Sequence, residues 1–208
     1  MSYTSLQPIP QRHWWKLPAG RDEALWITFA YGWCLVMTVV MVAWYFVGNQ
    51  NQAGEAFRVT IPGFTNKMEE MITAYQMRDA SGNLMVEGAA DTPLVQVPPD
   101  GDVFIASRQF DWSVIPVLEL GKTYVFHLSS QDVDHGFSLL PIVVNLQLIP
   151  GYDYVLRFTP NKTGVYPITC NEYCGLGHHV MAGKIYVIDT ANNVVLDGKG
   201  GITGTGGV

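Results

Sequence analysis

From Ala24 to Val47 the chain reads ALWITFAYGWCLVMTVVMVAWYFV, without one charged side chain. A helix of that length spans about 36 Å, enough to cross a hydrocarbon core of about 30 Å with some tilt. Trp14 and Trp15 precede the run, and Trp44 and Tyr45 close it, where interfacial aromatic belts sit. A buried core helix this long would carry polar interruptions. A cleaved signal peptide would have a shorter apolar region and a small-x-small site directly before Asn49. The pattern therefore predicts a segment 1–23 followed by one retained transmembrane helix, 24–47. Residues 48–60 (GNQNQAGEAFRVT) are polar and open a linker. Phe64, Met68, Met71, Ile72 and Tyr75 then recur at helical spacing after Pro62, with Thr65 and Asn66 as caps. This predicts a short amphipathic helix within a linker 48–90, its Met and aromatic face packing against membrane or a partner.

From about Thr92 the period changes. PLVQV, DVFIASRQF, TYVFHLSS, VVNLQLI, YDYVLRFT, GVYPITC and GKIYVID are short runs separated by Gly, Pro and Asp. Tyr152, Tyr154, Leu156 and Phe158 alternate with Asp153 and Arg157, as a half-buried strand requires. Runs spaced about ten residues apart, with no helical segment between them, predict an all-β sandwich or barrel over 91–196. The stretch 197–208 is mostly Gly, Thr and Lys and reads as a disordered tail.

Charge adds an orientation. Residues 1–23 carry three basic and two acidic side chains, whereas 48–208 carry nine Lys/Arg against sixteen Asp/Glu, a net of −7. Positive flanks stay inside, so the expectation is a cytoplasmic N-terminus and a C-terminal domain on the periplasmic or outer face of the plasma membrane. An acidic outer domain argues against nucleic acid and fits a basic protein partner, with Asp111, Asp132 and Asp134 close to the segments described next.

The stretch TCNEYCGLGHHVMAGK sets Cys170, Cys174, His178 and Met181 at C-x3-C-x3-H-x2-M just before the last strand. One loop can turn these four ligands toward one point, and His135 in QDVDHGFSL lies at a strand boundary that a sandwich can bring alongside. Cys and His alone would suit tetrahedral zinc, and two outward-facing cysteines could form a disulfide. Met is a soft thioether that favours copper, and a mononuclear blue-copper site needs only one thiolate. The economical arrangement is two copper ions bridged by both thiolates, each with one imidazole and one weak axial ligand. Met181 supplies one axial position and a backbone carbonyl between the cysteines the other. Such a site has no position for substrate and moves electrons. Cys34 reads as a small hydrophobe in the membrane helix. His13, His127 and His179 do not read as ligands.

At these residues the chain resembles the CuA domain of cytochrome c oxidase subunit II, from roughly Asp100 to Asp189, through DVDHGFSL, NLQLIPG and CNEYCGLGHHVMAGKIYVID. The resemblance implies a cupredoxin fold with a dinuclear CuA centre. Cys170 and Cys174 would bridge the coppers, His135 and His178 would bind one each, Met181 would be axial, and Glu172 would bind through its main-chain carbonyl. It also implies a catalytic haem-copper subunit I as membrane partner, which would hold the haems, since this chain would carry no catalytic residue of its own. The donor would be a c-type cytochrome or a small copper protein. One transmembrane helix is the pattern of B-type oxidases. Phe110 stands where an aromatic residue admits electrons in related chains, and Trp112 is a second candidate for that role or a packing residue. Two alternatives remain open, the CuA subunit of a nitric oxide reductase and a membrane-anchored copper carrier.

Overall fold

The computed structural model describes residues 20–47, 55–142, 144–196 and 202–203. The expectations for residues 1–19 and 48–54, and for most of 197–208, lie outside the described residues. The chain divides into two compact units, Met1–Gln50 and Asn51–Val208.

The first unit holds helix α1, Arg21–Val47. Its 27 residues give a length of about 40 Å, and none of its side chains is buried. Asp22 and Glu23 occupy its first turn, where carboxylates favour the positive end of the helix dipole. By length and composition α1 can cross a membrane, with a mean hydropathy of 1.9 over its most apolar window.

In the second unit β1 (Ala56–Arg58) comes first, then helix α2 (Ile61–Tyr75). The cap is Thr60, whose hydroxyl accepts from the Gly63 amide at 3.3 Å, not Thr65 or Asn66. Pro62 then falls in the first turn, where its missing N–H costs no hydrogen bond. Phe64, Met68 and Met71 are buried, and they pack on the β domain itself, not on membrane or a partner as expected from the sequence. Periodicity reveals an apolar stripe but not what covers it. Phe64 meets Phe104 edge-on at 5.6 Å, and Met71 Sδ lies 3.2 Å from the Phe104 amide. Each of the three side chains contributes roughly 1.5–3 kcal/mol on burial, which fixes a helix too short to persist alone.

The strands that follow β1 alternate sides as the period-two pattern demands. They are β2 (Val86–Glu87), β3 (Thr92–Val95), β4 (Asp102–Arg108), β5 (Asp111–Trp112) and β6 (Ile115–Glu119). Next come β7 (Tyr124–Ser130), β8 (His135–Leu139), β9 (Val144–Leu148), β10 (Tyr152–Phe158), β11 (Gly164–Thr169) and β12 (Ala182–Ile188). They form a five-stranded sheet in the order β1-β10-β7-β4-β5 and a seven-stranded sheet in the order β2-β3-β6-β12-β11-β8-β9. The pairs β4–β7, β6–β12 and β3–β6 are parallel, and the remaining pairs antiparallel. A core of Val103, Ile105, Trp112, Phe126, Leu128, Phe137, Leu148 and Ile168 fills the sandwich. The last pair, β13 (Val195–Leu196) with β14 (Ile202–Thr203), corrects the reading of a wholly disordered tail. Ile202 is half-buried against a small cluster around Leu94, Val117 and Tyr186.

Candidate metal centre

β11 and β12 run antiparallel to Thr169↔Ala182, and the Cys170 amide donates to the Met181 carbonyl at 3.2 Å. This closes the neck of a loop that holds four of the sulfur and nitrogen groups singled out above. β8 lies beside β11, with Thr169 opposite Ser138, so His135 at the start of β8 faces the loop. Gly136 permits that approach. A Cβ there would overlap the Asn171 side chain and come within 2.7 Å of the Glu172 amide.

The six expected ligands meet. Cys170 Sγ and Cys174 Sγ are 3.8 Å apart as free thiols, well beyond the S–S length of a disulfide. His135 Nδ1 lies 3.8 Å from Cys170 Sγ, and the Glu172 carbonyl oxygen 3.2 Å from it. On the other side His178 Nδ1 lies 3.6 Å and Met181 Sδ 3.8 Å from Cys174 Sγ. The ligand atoms of His135, Cys170 and Cys174 all fall within 4.8 Å of one another. Each thiol thus has its own imidazole and its own weaker donor. His135, Cys170, Cys174 and Met181 are buried, while His178 is half-buried and the Glu172 side chain exposed.

Burial pushes the Cys174 thiol up to about 11, and the neighbouring Cys170 and the charge of Asp132 push in the same direction. Two buried thiols this close do not ionise together at neutral pH unless a cation joins them. The donor set, two thiols, two imidazoles, a thioether and a carbonyl, is soft and suits copper better than zinc.

Three supports were not legible in the sequence. Asp132 Oδ1 accepts from His135 Nε2 at 2.8 Å, which puts the ring proton on Nε2 and leaves the Nδ1 lone pair facing sulfur. Burial works against the Asp132 carboxylate, but hydrogen bonds from the Gln109 amide, His135 and the Val133 amide hold it below the usual carboxylate range. Gln109 donates through Nε2 to the Cys174 carbonyl. Phe110 lies flat on the loop. A Cβ on Gly177 would stand 2.5 Å from its ring and one on Gly175 3.2 Å from it. The Asp-x-x-His spacing of Asp132 and His135 is a local signal that could have revealed the first support. The other two connect residues about 65 positions apart.

Trp112 is only 2% exposed and packs edge-on against Phe137 at 5.7 Å, so it sits in the core and offers no surface. Phe110 is half-buried. His127 has other partners than the cluster. Its Nδ1 pairs with Asp153 at 2.7 Å and its ring stacks on Phe104 at 4.5 Å. His179 is exposed on the turn beside His178.

A family model described as the periplasmic domain of cytochrome c oxidase subunit II matches residues 105–189. A cytochrome c oxidase subunit 2 from Thermus thermophilus is 36% identical over 96 residues, covering 45% of this chain and 71% of that one. The chain belongs to the cytochrome c oxidase subunit II family. A subunit 2 from a second strain of Thermus thermophilus is also 36% identical over 96 residues, and 57% of its length is covered. A heme-copper oxidase subunit 2 from Aeropyrum pernix is 38% identical over 66 residues, 31% of this chain and 28% of that one. One chain of a heme-copper terminal oxidase dimer solved by cryo-electron microscopy superposes with a TM-score of 0.51 at 22% identity. The match covers 80% of this chain and 99% of that one, and it shows the fold. As a subunit II the chain is part of an oxidoreductase complex, and its outer domain is a copper-binding, cupredoxin-like domain. Residues 55–104, with α2, lie outside the stretch that the family model matches.

Proposed function

We propose that this subunit II is the electron-accepting subunit of a haem-copper terminal oxidase. In this reading it takes electrons singly from a c-type cytochrome or small copper protein and passes them to haems in a catalytic subunit I. The observation that supports it is the paired arrangement of the site, with an imidazole and a weak donor beside each of two buried thiols. Cys170 and Cys174 would bridge two copper ions, with His135 and the Glu172 carbonyl on one side and His178 and Met181 on the other. A copper pair so held supplies a one-electron carrier whose charge is shared through both thiolates. The residues around it keep their places. Asp132 fixes the His135 ring, and the β11–β12 neck fixes Cys170 against Met181. Phe110, half-buried on the loop, is the residue we assign to electron uptake, and the burial of Trp112 removes it from direct contact with a donor. Tyr173, Leu176 and Val180 on the same loop are 76%, 91% and 65% exposed and offer a donor an apolar landing. The charge of Asp111 is partly offset by Arg108 at 3.6 Å, which weakens its pull on a basic partner. The orientation follows the positive-inside rule, with α1 crossing the membrane and the copper domain on the periplasmic side.

The test is to purify the complex from its native membrane, supply electrons and follow each gas separately. The oxidase reading expects rapid dioxygen uptake and little nitric oxide consumption. Rapid conversion of nitric oxide to nitrous oxide with negligible dioxygen uptake would assign the subunit to a nitric oxide reductase instead.

A further inference from the structure

Gln109 touches the metal site twice, from opposite ends of one residue. Its main-chain amide donates to Asp132 Oδ2 at 2.7 Å, and Asp132 Oδ1 holds His135 Nε2 at 2.8 Å. Its side-chain Nε2 donates to the carbonyl of Cys174. The first connection runs to the histidine on β8, the second to the cysteine on the β11–β12 loop. These walls lie on different strands and otherwise meet at the ligands themselves and at the short β8–β11 pairing.

The loop's own turn does not use the Cys174 carbonyl. The amides of His178, Val180 and Met181 donate to the carbonyls of Gly175, Gly177 and His178. Gln109 is therefore the donor this carbonyl has among the described residues. The fit is tight. A Cβ on Gly175 would stand 2.9 Å from Gln109 Nε2, and Gly175 itself has a φ of +133°, a conformation side chains rarely adopt. The next residue, Phe110, lies against Gly175 and Gly177, so the Gln109-Phe110 pair covers the whole span from Cys174 to His178.

We infer that Gln109 is a positioning residue of the metal centre, a brace that fixes the distance between His135 and the Cys174–His178 segment through its amide donor. Without that donor the part-buried carbonyl must turn toward water, and the Cys174 thiolate and His178 turn with it. The loop can then relax when the centre changes charge. A fixed first shell relaxes less, and groups that orient ligands commonly change metal retention by about tenfold or more.

The inference rests on the copper reading for its spectroscopic arm only. Gln109→Ala removes the amide, and Gln109→Glu keeps the shape but replaces the donor by a carboxylate that only accepts. Both variants of the full chain, in detergent and loaded with copper, should release copper to a chelator about tenfold faster than the parent. Both should also show a shifted reduction potential and an altered copper hyperfine pattern. Parent-like release and spectrum in Gln109→Glu would overturn the inference, because shape and not the donor would then be what counts. In the metal-free chain the thiols of Gln109→Ala should react faster with an aromatic disulfide reagent than those of the parent. An unchanged rate there would overturn the brace whether or not copper binds. A parent chain that takes up no copper would instead count against the proposed function and leave this thiol measurement to decide on Gln109.

Discussion

Cys174 stands at the centre of the site, within 3.8 Å of Cys170, His178 and Met181 together. Its role and that of Met181 differ in kind. A bridging thiolate binds both metals, while a thioether is a weak axial donor that tunes potential. Cys174→Ser should abolish the paired centre, and Met181→Leu should keep copper while shifting the potential, as read by metal analysis and redox titration. An emptied site in Met181→Leu beside an intact spectrum in Cys174→Ser would reverse these roles. Residues of this kind were legible in the sequence alone, because C-x3-C-x3-H-x2-M is a local spacing and soft ligands have few other uses together. Gln109 and Gly136 were not. What marks them is a hydrogen bond to a carbonyl far along the chain and a close approach of two strands, and neither leaves a trace in residue type. Trp112 could be read two ways from sequence, and burial decides for packing.

At the scale of elements, the strands that the alternation predicted all appear. β1 and β6 were not anticipated, since β1 is exposed along its length and β6 is buried almost throughout, so neither alternates. Helix α2 was anticipated, but with the wrong cover and the wrong cap. It lies on the outer face of the five-stranded sheet, where Phe104 sits between Phe64 of the helix and the ring of His127. Burial alone would lower the pKa of His127, but the hydrogen bond and charge of Asp153, with Asp102 at 3.6 Å, outweigh it and raise it. A histidine whose folded pKa exceeds its unfolded value adds stability that is fully present below the unfolded value, about 6.5, and lost as pH rises through the folded one. The difference in thermal midpoint between the parent and His127→Gln should therefore be largest in mild acid and shrink as pH rises above about 6.5. A difference that grows toward alkaline pH would show that His127 is bound neutral and acts only by packing.

For the molecule as a whole, the division into an apolar helix and a β domain was legible from composition alone. Twenty-seven helical residues without a buried side chain contrast with everything after them. The family was legible as well, from the loop and the strand around His135. The accessory segment with α2 carried no family signal, and its function in holding the sheet became visible only in three dimensions. The central claim is that this fold gathers two thiols, two imidazoles, a thioether and a carbonyl into one dinuclear copper centre. The most direct test is copper analysis with electron paramagnetic resonance on the full chain in detergent, reconstituted and oxidised by one electron. A dinuclear centre of this kind predicts two copper ions per chain and a single unpaired electron coupled equally to both nuclei. One copper per chain, or the spectrum of an isolated copper ion, would contradict it.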